Sequence, residues 1–264
     1  MAAGIAGSVL YEVLSRLNME KLSSTLEMDQ GWDEEWDRFV RVPKELQGDI
    51  EEWFIAPDSE IVSEREKFDV ENNVGNREIV MVRHGQYLAG GELSQLGKEQ
   101  AEKTANRLAE VLASQNLKVR CIYHSDMMRA RQTAEAISKR FPGVALRETH
   151  LLAEAIPAEP NPPTINCPES VIAEGNRLEK GFRSFFARPV GEDNTERSVD
   201  ILVGHGNCFR FFVCRAMQVD PRYWLRMAIN NCGICVVDID TDGRVSVRSV
   251  GDVGHLPPSH LTYN

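Results

Sequence analysis

The apolar positions of this chain change period several times, and each change marks a predicted element. Ile5, Val9, Leu10, Val13, Leu14 and Leu17 recur at helical spacing, which predicts an amphipathic helix of about four turns. The pattern then dissolves into the acidic, aromatic GWDEEWDRFV, the pair Trp53-Phe54, and SEREKFDVENNVGN, which reads as a linker ending near Asn76. From Arg77 onward the chain is regular. EIVMV is a strand, and Ser94 is placed to cap a helix from Gln95 to about Ala113, with Leu96, Ala101, Ala105, Leu108 and Leu112 facing inward. VRCIYH is a second strand, followed by a helix over about Asp126 to Lys139 that Ser125 or Asp126 would cap. After the proline-rich IPAEPNPPTINCP come a helix over about Glu169 to Phe186, the strand SVDILVGH and the helix NCFRFFVCRAMQ. GICVVDID and RVSVRSV close the chain as strands around a Thr241-Asp242-Gly243 turn.

Strands alternating with helices predict an α/β fold, a three-layer α/β/α sandwich around a mostly parallel sheet. The break near Asn76 divides the chain into an N-terminal extension, residues 1–76, and a regular domain, residues 77–264. With 42% hydrophobic residues in 264, the chain can bury a core. Its net charge of −10 argues against nucleic acid as a partner, because phosphate-backbone binding needs a clustered basic surface. Any anion pocket on so acidic a body must be built from particular side chains. The six cysteines have no disulfide-scaffold spacing and are expected as packed thiols; Cys232-Gly-Ile-Cys235 lacks the following helix of a redox motif. No segment supplies the ~18 apolar residues that a membrane helix needs.

Two strand ends carry the same unusual chemistry. EIVMV runs into Arg83-His84-Gly85, and DILVG runs into His205-Gly206. In such sheets ligands bind beyond the carboxyl ends of the strands. One histidine after a strand is usually a polar end residue; two His-Gly pairs, each closing a buried strand, point to a site. The stretch SDMMRARQTA puts Arg129 in the first turn of a helix, beside the positive end of its dipole. An anion there would explain it; a solvated surface position, expected for Arg131 and Arg140, is the alternative.

VRHGQ, a later GHG, the S-x-x-x-R-A-x-x-T-A pattern at Ser125–Ala134 and Leu-x-Glu at Leu152–Glu154 together resemble the histidine phosphatase superfamily, which includes the phosphoglycerate mutases. The likeness runs from Arg77 to the end of the sequence. LLAEAIPAEPNPP, RYWLRMAINNCGI and GDVGHLPP narrow it to the mitochondrial phosphoglycerate-mutase-like serine/threonine protein phosphatases. That resemblance implies a phosphoglycerate mutase-like fold, His84 as the nucleophile that becomes phosphohistidine, His205 as its partner, Glu154 as general acid and base, and Arg83, Gly85 and Arg129 as phosphate-binding residues. The sequence alone would not choose between His84 and His205. No metal or other cofactor is expected. Gln86-Tyr87 replace the Glu-Ser that follows RHG in the mutases, which favours phosphatase over mutase chemistry.

GWDEEWD resembles the WD-x-x-WD element linked in these relatives to assembly into multimers. Trp32, Asp33, Trp36 and Asp37 are therefore expected to serve a homo-oligomer, although Glu34-Glu35 stand where the family has proline and asparagine. The resemblance further implies phosphoprotein substrates, apoptosis-signal-regulating kinase as a partner, and an outer-mitochondrial address, without the relatives' N-terminal membrane segment. Two other readings remain open at this point: an enzyme acting on small phosphometabolites, and a scaffold built on residues 1–76.

Overall fold

Side-chain alternation along one strand organises the whole molecule. In strand β1 (Val74–Arg83), Ile79 and Met81 point to one face of the sheet, Val80 and Val82 to the other, and all four are buried. A strand apolar on both faces must be covered on both. In the computed structural model, which describes residues 36–37, 55–190 and 195–263, helices cover both. On one side lie α2 (Gln95–Ser114) and α3 (Met128–Ser138), whose Ala105, Leu108, Leu112, Ala134 and Ile137 pack on Val80, Val82, Ile201 and Val203. On the other lie α1 (Ser59–Asn72), α4 (Val171–Phe185) and α5 (Gly206–Ala216). There Phe182, Phe185, Phe186, Phe209 and Phe212 form an aromatic layer against Ile79, Met81 and Leu202.

The sheet has six strands in the order β3-β2-β4-β1-β5-β6, with β2 at Lys118–Ser125, β3 at Ala145–Thr149, β4 at Glu196–Gly204, β5 at Ile234–Asp240 and β6 at Val245–Asp252. The first four in that order are parallel, while β5 runs antiparallel to both neighbours. The sheet is thus mixed, with a parallel block of four.

Two local expectations are corrected. SEREKFDVENNVGN is not a linker: most of it is α1, capped by Asp58, whose carboxylate accepts the N–H groups of Glu60 and Ile61, and closed by Asn73 in the left-handed region at φ 50°. The helix shows no apolar stripe because its inward positions, Ile61, Arg65 and Asp69, are mostly charged. Asp69 pairs with Arg77 of β1 with both side chains fully buried, and Arg65 Nη1 donates to the Ser184 carbonyl at 2.5 Å. Elements packed on the sheet therefore begin before residue 77. The second correction is β3, a short edge strand with Leu146 exposed, whose ALRET sequence has no apolar alternation to mark it.

The predicted helix around Ile5–Leu17, and Trp32 and Asp33, lie outside the described residues. Trp36 and Asp37 rest on the domain itself. The Trp36 indole donates to the Gly243 carbonyl at 2.8 Å and packs 5.9 Å from Phe182, ring centre to ring centre. Asp37 accepts from the Arg188 backbone N–H at 2.5 Å and from its Nε at 2.8 Å. Among the described residues no helix is long and apolar enough to cross a membrane.

Candidate active site

Strand register brings the two histidines together. Parallel pairing of β1 with β4 sets Arg83 opposite Gly204, so the next residue on each strand leaves the sheet beside the other. These are His84 and His205; their ring centres are 5.0 Å apart, and the His84 N–H donates to the Gly204 carbonyl at 2.9 Å. On the far side of β4, β2 ends at Ser125, one residue beyond the His124–Val203 pair. Three strand ends and the start of α3 therefore converge at the carboxyl edge of the parallel block, where ligands of such sheets bind.

The hydrogen bonds define the tautomers. His84 Nδ1 lies 2.8 Å from the Gly85 carbonyl, which can only accept, so Nδ1 carries the hydrogen and Nε2 keeps its lone pair. Arg129 Nε donates to that Nε2 at 3.0 Å, and its Nη2 reaches His205 Nδ1 at 3.3 Å. His205 Nδ1 is then an acceptor, and its Nε2–H donates to Ser125 Oγ at 2.9 Å. Burial holds the His84 pKa down to about 3, assisted by the charges of Arg129 and Arg83. His205 is pushed well below its ordinary value by burial and then by His84, Arg129 and Arg83. Both rings are neutral at physiological pH, and a neutral Nε2 is a nucleophile.

Arg129 occupies the second position of α3. Met127, not Ser125 or Asp126, is the N-cap residue, and it supplies no side-chain bond; Ser125 Oγ instead accepts the Met127 N–H at 3.2 Å while orienting His205. The Arg129 guanidinium lies 4.5 Å from the centre of the Tyr87 ring, which also meets His84 edge-on at 5.3 Å. Arg83 Nη1 donates to the Ile229 carbonyl at 2.7 Å. Arg131 and Arg140 are the solvated arginines expected, paired at the surface with Glu148 and Glu102.

Glu154 follows the short 3-10 turn His150–Leu152 after β3. Its carboxylate accepts the Ala155 N–H at 3.2 Å and a backbone N–H from Asn207 at the start of α5. Burial raises its pKa, outweighing those bonds and the charges of Arg83 and Arg129. Arg177 on α4 holds the turn in place, donating to the carbonyls of His150 at 2.9 Å and Ala153 at 3.2 Å.

Gly85, expected as a phosphate-binding residue, also meets a packing requirement. Its N–H is committed to Thr133 Oγ1 at 3.1 Å, and a Cβ there would stand 2.6 Å from the Gly97 carbonyl oxygen. The glycine is needed because the catalytic loop touches helix α2 backbone to backbone. Gln100 and Asn231, both fully buried, fix that loop: Gln100 accepts the Gln86 N–H at 2.8 Å, and Asn231 Nδ2 donates to the His84 carbonyl at 3.1 Å. Neither has a local sequence signal, since its partners lie far along the chain. Cys232 and Cys235 are free and buried, with burial pushing both thiols up to about 12, so they do not act as reactive thiolates.

The sequence matches the histidine phosphatase superfamily (branch 1) over residues 79–159 and 153–252. The chain belongs to that superfamily. His84, Arg129 and His205 all lie within the matched residues. Relatives include the serine/threonine-protein phosphatase PGAM5, mitochondrial, of Mus musculus and of Homo sapiens, each 38% identical over 240 residues, 88% of this chain and 80% of theirs. The Pgam5 protein of Drosophila pseudoobscura pseudoobscura is 36% identical over 242 residues, with the same shares of the two chains. Among solved structures, the phosphoglycerate mutase of Plasmodium falciparum superposes with a TM-score of 0.52 at 34% identity, covering 72% of this chain and 99% of that one. A mycobacterial hydrolase, with a TM-score of 0.51 at 22% identity over 67% of this chain and 99% of its own, shares the fold.

Proposed function

We propose that this histidine phosphatase hydrolyses phosphoserine and phosphothreonine in proteins through a phosphohistidine at His84. The observation that carries the reading is the Arg129 guanidinium spanning His84 Nε2 and His205 Nδ1. On this reading an arriving phosphoryl group displaces Arg129 Nε from the His84 Nε2 lone pair, and the guanidinium turns to the phosphoryl oxygens. Arg83 and Arg129 take the phosphoryl oxygens, with the guanidinium forks suited to that geometry, and His205 joins them when its Nδ1 takes up a proton from the arriving phosphate group. The His84 Nε2 lone pair forms the N–P bond as the P–O bond to serine breaks, and protonated Glu154 gives its proton to the departing oxygen. Water then attacks phosphorus, Glu154 takes up its proton, and the P–N bond breaks to free inorganic phosphate.

Gln86 and Tyr87 support hydrolysis over phosphoryl return. Gln86 Oε1 accepts from Ser94 Oγ at 2.8 Å and Tyr87 is stacked on Arg129, so neither is set to hold a three-carbon acid. The names of the relatives support a mitochondrial address; association with the outer membrane through a partner, and a stress-signalling kinase as target, extend the same proposal. Assembly through the WD element is proposed in a specific form. The seat formed by Phe182, Arg188 and Gly243 accepts Trp36 and Asp37, and the same residues of a second copy would fit it equally.

The test is to trap phosphate on the protein after brief exposure to a phosphoserine peptide. Acid-labile, base-stable phosphate that His84→Ala abolishes is the expected result. Higher kcat/KM on phosphoglycerate than on the peptide would favour the metabolite-enzyme reading instead.

A further inference from the structure

Arg210 is a buried cation that the mechanism above does not use. It lies on α5, one turn after Asn207, and is 9% exposed. Its Nη1 donates to Asn207 Oδ1 at 3.0 Å, its Nη2 meets the Tyr263 hydroxyl, and its buried Nε has no partner among the described residues. Among the described residues no carboxylate lies within ion-pair distance of it, in a chain with 40 acidic side chains. A buried guanidinium held by an amide and a phenol is only partly compensated for leaving water. Arg210 is also near enough to Arg83 for its charge to be felt there.

Tyr263 joins the two cations. Its ring centre lies 5.7 Å from the Arg83 guanidinium carbon and 5.9 Å from that of Arg210. The residue beside it is tied to the catalytic loop: the Thr262 carbonyl accepts the Asn231 N–H at 3.1 Å, and Thr262 Oγ1 takes a bond from Gln100 at 2.9 Å. The Tyr263 ring itself is half exposed, so a ligand can reach the hydroxyl that it would replace. A carboxylate replacing the phenol would make a charge-assisted, two-pronged bond of the kind guanidinium favours. The spacing across one aromatic ring sets that carboxylate about two peptide residues from a phosphoryl group at Arg83.

We propose that Arg210, screened by Tyr263, is an acidic-side-chain subsite that binds a carboxylate of the substrate within about two residues of the phosphoserine or phosphothreonine. The assignment rests on the protein-phosphatase reading and adds a sequence preference to it.

Three phosphoserine peptides of one length test it. One carries aspartate beside the phosphoserine, one the same aspartate about six residues away, and one has none. The adjacent-aspartate peptide is expected to show about tenfold higher kcat/KM than the distant one, the scale of a hydrogen bond to a charged group. Arg210→Gln should bring that ratio to within about twofold of unity, and Arg210→Lys should leave it intermediate. Tyr263→Phe should raise it about twofold by removing the competing hydroxyl. A ratio near unity in the wild type overturns the subsite while leaving the phosphatase reading intact, and needs no variant to fold. A ratio that survives Arg210→Gln overturns it as well. Turnover of phosphoglycerate with none of any peptide overturns the phosphatase reading, and the subsite with it.

Discussion

The two ends of the sheet give their arginines different partners. Toward the amino end, Arg77 meets Asp69 with both side chains fully buried, and Arg120 meets Asp200 at 2.6 Å. Glu78 there accepts from both Arg248 and Arg197. At the carboxyl end, Arg129 is bound to two imidazole nitrogens and an aromatic face, and Arg210 to an amide and a phenol. Desolvating a cation costs free energy in either place. At the amino end Arg77 and Arg120 offset that cost with carboxylates of the same chain, while Arg65 nearby has the Ser184 carbonyl; Arg129 and Arg210 have no carboxylate within ion-pair distance among the described residues, and the proposed substrate would supply one anion to each. One end is therefore built for stability, the other for binding, and substitutions should separate the two properties.

The largest effect belongs to the carboxyl end. His84→Ala should lower turnover of a phosphoserine peptide by about 10⁴-fold or more, equivalent to roughly 5.5 kcal/mol. The urea unfolding midpoint should move far less, because no charge is left stranded. A variant that lost activity only by unfolding would refute the division between the ends.

Next comes the amino end. Arg77→Ala strands the Asp69 carboxylate in the core, and breaking a buried pair in this way typically costs about 3–5 kcal/mol. The urea midpoint should fall accordingly, while the protein that remains folded keeps its kcat. Arg131→Ala, which removes an exposed pair with Glu148, should cost no more than about 1 kcal/mol.

That contrast also explains which features were legible in the sequence. β1 and β4 announced themselves as apolar runs ending in His-Gly, and their parallel pairing needed only the α/β rhythm to be inferred. Hence Arg83, His84 and His205 were readable in advance, and Arg129 through its place in a helix start. Helix α1 was hidden because Arg65 and Asp69 occupy the inward positions where an apolar residue would betray it. Gln100, Asn231, Arg210 and Tyr263 were hidden for a related reason. Each acts through a partner brought close by the tertiary fold, and a polar residue gives no local sign that it will be buried. The RHG motif marks Gly85 for the site, but the close approach of Gly97 that also requires a glycine there has no local sequence sign.

Glu154 belongs to the carboxyl end but carries the opposite charge, and it sharpens the comparison. Glu154→Gln should cut kcat/KM on a phosphoserine peptide about 10²–10³-fold, as expected on losing a general acid. The loss on p-nitrophenyl phosphate should be under about tenfold, since nitrophenolate leaves without a proton. The pH dependence follows from the same group. Its pKa is raised by burial and its protonated form is required, so kcat/KM for the peptide should fall as pH rises through that raised value. His84, held at about 3, should add no acid limb above roughly pH 4. Glu154→Gln should flatten the alkaline limb; persistence of that limb would assign it to another group.

The smallest predicted effect lies away from both sheet ends, at the seat of Trp36. Trp36→Phe keeps an aromatic ring against Phe182 but removes the indole N–H that donates to the Gly243 carbonyl at 2.8 Å. Losing one such bond costs about 1 kcal/mol. If the seat is filled from within the chain, that loss appears as a small, concentration-independent drop in the unfolding midpoint, with particle mass unchanged. If it is filled from a second copy, the loss falls on association, so mass by sedimentation drops at low protein concentration while the midpoint at high concentration holds. Arg188→Ala extends the test, since it removes the guanidinium bonds to Asp37 while keeping the backbone N–H that Asp37 also accepts. Both variants should then shift the same observable, in the same direction, for either way of filling the seat. A split between them, one altering mass and the other only stability, would mean that tryptophan and aspartate do not act as one docking element.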